Sequence, residues 1–128
     1  MTVRQRPLSP HLQIYRFTIT MTMSIIHRIT GVALYVGTAF LAIWLAAAAI
    51  GEAALAPVNA LYGSWFGTLV LFGYTWALFH HMLGGLRHFV WDFGFGFEPG
   101  QREMLAWANL IGSIVLTLLV WTVFVWVN

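Results

Sequence analysis

The 128-residue chain is 60% hydrophobic and only 8% charged, with a formal net charge of +2 and a mean hydropathy of +0.81. A soluble domain of this length carries roughly 25% charged residues, so that class is excluded. Cysteine is absent and all six basic residues are arginine, which excludes disulfides, iron-sulfur ligation and thiol chemistry within the chain.

Charges leave three free windows, residues 29–51, 53–86 and 104–128. Each exceeds the roughly 20 residues of helix that cross a hydrocarbon layer of about 30 Å. The apolar runs are continuous and lack the two-residue alternation of a β-barrel. The reading is an all-α integral membrane protein of three transmembrane helices at about 21–50, 60–90 and 104–127, one anchor domain over 1–128. Three spans with so little mass outside the bilayer need neighbours to bury their polar intramembrane groups, so the chain is expected to be part of a larger anchor bundle.

In chain order, residues 1–20 hold three arginines and two prolines and read as an extended surface segment, with the mature N-terminus near Met1. It serves either as a basic tail on anionic lipid or as a strap docked on a soluble partner. The first span opens with Ser24, His27, Arg28, Gly31 and Tyr35 at i, i+3, i+4, i+7 and i+11. That spacing puts them on one face, expected to look inward, although an arginine at a span's edge, taken alone, most often snorkels to lipid phosphates, as Arg28 would. Residues 52–60 read as an outer loop with Pro57 and Asn59 as breakers, and residues 92–102 as the second loop. In the third span Asn109, Ser113 and Thr117 recur at i, i+4 and i+8 and are expected to pack on another helix. All six arginines fall on the side of the N-terminus and second loop, which makes that side cytoplasmic, or matrix-facing in a mitochondrion.

The second span ends in FHHMLGGLRHFVWD, residues 79–92. Imidazole in apolar surroundings needs a ligand or a hydrogen bond. At about 100° per residue His81, Gly84, Gly85 and His88 share a face that is nearly free of side chains between its histidines, so a flat group such as a porphyrin could approach. His80 lies about 100° round and is the packing or lipid-edge residue. His81 and His88 are about 10 Å apart along one helix, too far to bind one iron together, and His27 is expected level with His88, about two turns from His81. If His81 is an axial ligand, the opposite ligand comes from another polypeptide. Arg87 and His88, or His27 and Arg28, would suit propionates; Arg28 pairing with Asp92 is the plain alternative.

Three motifs carry a family resemblance: RPLSPHLQIYRF near the start, SIIHRITG at 24–31, and H-x-x-x-G-x-R-H-x-x-W-D-F-G from His81 to Gly94. In this order they resemble the cytochrome b subunit of succinate dehydrogenase, the large membrane anchor of respiratory complex II. The resemblance implies that His81 is the axial ligand of a haem b iron shared with a second, small membrane anchor subunit. It further implies that Ser24 and Arg28 line a ubiquinone site and that His27 lies by the haem propionates, where position at the membrane edge makes Arg28 and His88 further candidate contacts. The implied partners are that small anchor, an iron-sulfur subunit, a flavoprotein subunit and the lipid membrane, with no nucleic acid. The chain alone would not be an enzyme, and its implied place is a bacterial inner membrane, with the mitochondrial inner membrane as the alternative. Two other readings remain at this point: a haem-free structural anchor, and a proton or ion conduit using His81, His88 and Asp92.

Overall fold

The computed structural model describes residues 15–127, so most of the N-terminal surface segment lies outside the described residues. Four helices follow one another: α1 Ile19–Ile50, α2 Glu52–Tyr62, α3 Trp65–Asp92 and α4 Pro99–Val127. Three of them, α1, α3 and α4, are long and apolar enough to span a membrane. Thr18 caps α1 by accepting a hydrogen bond from the Met21 N–H, and Ser64 caps α3 by accepting from Gly67. Both hydroxyls satisfy donors that a helix start leaves orphaned.

The expected outer loop at 52–60 is instead the helix α2, 11 residues long. Gly51, at φ 122°, turns the chain in a conformation that other residues rarely adopt. The four alanines of the segment favour helix once the turn is made, and the Pro57 ring removes only one hydrogen bond from a short element. Asn59 does not break it, because its side-chain carbonyl accepts from Trp44 Nε1 at 3.0 Å. Tyr62 donates to the Phe40 carbonyl at 2.8 Å, so α2 is strapped back onto α1 at both points. Residues 60–62 therefore belong to α2, and α3 begins only at Trp65. Beneath the strap α1, α2 and α3 line an open apolar cleft of about 620 Å³, with Gly37, Trp44 and Tyr74 among its walls.

α3 lies between α1 and α4 and packs against both. Its seams are built from small and polar groups: Thr30, Ala77, His80, Arg87, Ala106, Asn109, Ser113 and Thr117 are all buried. Large apolar side chains such as Ile29, Leu69, Leu119 and Val123 face outward. Where lipid is as apolar as leucine, burial of leucine brings helices no closer together, whereas small residues and interhelical hydrogen bonds do. Asn109, Ser113 and Thr117 accordingly face α3 as a buried line.

Candidate functional site

The three histidines of the motif regions meet at the seam of α1 and α3. The His27 and His81 rings stack with centroids 3.9 Å apart and planes within 5°. His88 stands 5.7 Å from His27 at 51°. Depth does not separate His27 from His81 as expected. His27 is eight residues into α1, while His81 and His88 are eleven and four residues from the end of α3. At about 1.5 Å per residue His27 therefore falls between the two, and its ring reaches both.

His81 is held by α1. Its Nδ1 lies 3.0 Å from the His27 carbonyl and 3.3 Å from Thr30 Oγ1, and the Thr30 hydroxyl itself donates to that carbonyl at 2.9 Å. A carbonyl only accepts, so Nδ1 is the nitrogen that carries the proton, and Nε2 keeps its lone pair. Ring lone pairs lie in the ring plane. Two parallel rings 3.9 Å apart therefore cannot direct them at one metal from opposite sides. The trio is not by itself a metal-holding set, and none of that kind occurs among the described residues.

His80 has the opposite surroundings. It is completely buried between α3 and α4, with Nδ1 3.4 Å from Ser113 Oγ and Nε2 3.4 Å from Asn109 Nδ2. Trp76 covers it at 5.1 Å. Both nitrogens are thus engaged.

The glycines of the shared face divide between two uses. A Cβ at Gly84 would collide with the His27 ring, whereas one at Gly85 would meet nothing within 4 Å. Half of the expected bare strip is thus filled by α1 itself, and half stays open. Gly31 does the same service for the facing helix, since a Cβ there would come within 2.9 Å of His81 Cε1. Gly84→Ala is expected to displace His27 and cost about 1–3 kcal/mol by overpacking, read as a lower thermal midpoint. Gly85→Ala should leave the chain's own packing untouched. Loss of a bound chromophore in Gly85→Ala alone would report a group brought against that strip from outside.

The polar stripe of α1 splits, contrary to the expectation that all of it looks inward. His27 and Gly31 point into the seam, but Ser24, Arg28 and Tyr35 are exposed, Tyr35 by 82%. The contact face of α1 runs through Met23, Thr30 and Ala47. Ser24 and Arg28 each follow a seam residue by one position, about 100°, which carries them to the flank. Asp92 is exposed as well. Arg87 is buried between α3 and α4, in the seam that also holds His80, with its guanidinium 5.0 Å from the Trp91 ring. Sequence reading passed over Thr30. Its signal was its place three residues after His27, where a threonine bonds back to the carbonyl that also takes the His81 proton.

These features define a class: a multi-pass helical membrane protein whose polar seam holds a histidine, His81, with Nδ1 bonded to the facing helix and Nε2 free, beside an open glycine. The family model of succinate dehydrogenase/fumarate reductase transmembrane subunits matches residues 2–120, and the chain belongs to that family. It is 44% identical over 119 residues to the succinate dehydrogenase cytochrome b556 subunit of Paracoccus denitrificans, covering 93% of this chain and 92% of that one. The b556 subunit of Rickettsia felis is 39% identical over 117 residues, 91% of each. The mitochondrial cytochrome b560 subunit of Sus scrofa is 40% identical over 112 residues, 86% of this chain and 66% of that one.

Proposed function

We propose that the chain is the haem b- and ubiquinone-binding anchor of a succinate:quinone oxidoreductase, with His81 Nε2 as one axial ligand of the haem iron. The observation that carries the reading is the state of the two adjacent histidines. His81 has its Nδ1 proton committed to the His27 carbonyl and its other nitrogen free, while His80 is enclosed with both nitrogens engaged. Metal-bound histidines ordinarily donate their second N–H in this way, which fixes the ring and raises its basicity. The residues present fit the group: a ligand nitrogen, an open strip at Gly85, and His27 and His88 beside it for propionates, with Arg28, next to His27 in the chain, as a further candidate on the flank of α1.

When bound, the haem supplies a one-electron carrier inside the membrane. The rest of the mechanism falls to this chain's side chains and to its neighbours. Ser24 and Arg28 are exposed on the flank of α1, in keeping with a quinone pocket whose other wall belongs to another subunit. There the Arg28 guanidinium is suited to orient a quinone carbonyl and stabilise the negative charge that reduction places on its oxygen, and the Ser24 hydroxyl to donate to it. Electrons arrive from succinate through a flavoprotein and an iron-sulfur subunit docked on the N-terminal side, and the small second anchor contributes the other axial histidine. The arginine distribution supports a cytoplasmic N-terminus in a bacterial inner membrane.

The reading is tested by a reduced-minus-oxidised visible spectrum of the purified complex. A b-type band is expected, and its absence would leave a haem-free anchor. The same spectrum should fail in the isolated chain, because a face-to-face pair of His27 and His81 cannot supply both ligands. Expressed without its companion, the chain should bind haem weakly or in a five-coordinate form, and a three-helix partner with one deep histidine should restore the low-spin form. A stable bis-histidine spectrum from a proven monomer would overturn the shared ligation.

A further inference from the structure

Arg87, named with His88 as a candidate for propionates, has no part in the proposed function. It is 6% exposed on the seam of α3 and α4, five residues before the end of α3. Its Nε and Nη1 have no hydrogen-bond partner, and across the seam Asn109 Oδ1 has none either. Both residues line one cleft of about 170 Å³ whose other walls are Leu83, Leu86, Val90, Leu105 and Ala108. The guanidinium carbon stands 5.0 Å from the Trp91 ring centroid, a contact that supplies no hydrogen-bond acceptor to Nε or Nη1.

A cation withdrawn from water needs a counter-charge. The acidic side chains Glu52, Asp92, Glu98 and Glu103 are all exposed and none lines the cleft, so among the described residues no carboxylate serves Arg87. A guanidinium edge matches two oxygens of a phosphate. The cleft lies on the arginine-rich side, close to the helix ends, and its walls beyond Arg87 and Asn109 are aliphatic. Basic pockets between transmembrane helices on that side receive lipid headgroups. Asn109 Oδ1 adds a demand for a donor, which a headgroup hydroxyl meets.

We propose that this cleft binds the phosphodiester of an anionic membrane phospholipid. Arg87 holds the phosphate, Asn109 accepts from a hydroxyl of the headgroup, and an acyl chain lies along Leu86, Val90 and Leu105. The site is separate from the seam of His27 and His81, meets His80 only through Asn109, and does not depend on haem.

The assembled complex, purified in mild detergent, is examined by native mass spectrometry with phospholipid extraction. Wild type is expected to retain tightly bound phosphatidylglycerol. Arg87→Gln should lower that retention at least tenfold, and Ala108→Phe, which fills the cleft from α4 without altering the guanidinium, should do the same. After delipidation, phosphatidylglycerol should raise the thermal midpoint of wild type but of neither variant, whereas inorganic phosphate should not. Equal lipid retention in wild type and both variants would overturn the proposal. So would protection by inorganic phosphate alone, which would mean a free-anion site, or loss of a subunit from Arg87→Gln at unchanged lipid content, which would assign the counter-charge to a partner's carboxylate. If Arg87→Gln fails to assemble, Ala108→Phe carries the test.

Discussion

His81→Ala is expected to remove the low-spin haem signal of the complex or convert it to a high-spin one, while His80→Ala keeps the spectrum and loses stability instead. The two residues are neighbours in sequence, so a nonspecific effect on α3 would strike both alike. Their surroundings make the outcomes differ. Only His81 has a nitrogen free for a metal, its ring oriented by the His27 carbonyl and by Thr30. Truncating it removes the proposed ligand and leaves a carbonyl that still has the Thr30 hydroxyl as a donor. His80→Ala opens a void between α3 and α4 and unpairs Ser113 and Asn109 from the imidazole. Leaving buried polar groups unsatisfied costs about 1–3 kcal/mol, and the long 3.4 Å contacts place this case toward the low end. Haem content by spectrum and thermal midpoint, measured on the same preparations, check both halves. Retained low-spin haem in His81→Ala with loss in His80→Ala would move the ligand to His80 and require α4 to swing away from it.

Arg28→Ala should depress quinone reduction far more than electron transfer from succinate to a water-soluble acceptor. Arg28 is exposed on the flank of α1 and outside the seam, so its loss removes no packing from the bundle. What it removes is the charged hydrogen bond of the proposed quinone pocket, about 1.5–3 kcal/mol or on the order of ten- to a hundredfold in rate. Arg28→Lys should rescue only in part, since an ammonium lacks the planar fork of the guanidinium. A parallel loss of both activities would mean failed assembly, and would point to Arg28 as a docking residue.

The helical class, the three spans and the family were readable from composition and motif alone, because they depend on properties that are local in the chain. A window without charges that is long enough to cross the bilayer is helical whatever lies beside it. The motifs at 24–31 and 81–94 carry their own spacing. The pairing of Asn109, Ser113 and Thr117 with another helix was legible for the same reason, since one face of one helix holds them all. The segment at 52–60 was not. Pro57 and Asn59 are breakers by propensity, and α2 forms because Trp44 and Tyr62 tie it to α1, contacts between residues 15 and 22 positions apart.

The site divides in the same way. Periodicity puts His27, Arg28 and Ser24 on one broad face, but the rotation of α1 against α3 decides that His27 enters the seam while the other two remain on its flank. Periodicity also leaves two bare glycines beside His81, and only packing shows Gly84 filled by the His27 ring and Gly85 open. The tautomer of His81 is set by a carbonyl 54 positions away in the chain, and the enclosure of His80 by residues 29 and 33 positions away. Sequence therefore determined which residues are polar inside the membrane and how they are spaced along each helix. Tertiary structure decided which of them meet, because the relative rotation and depth of packed helices depend on contacts between distant parts of the chain.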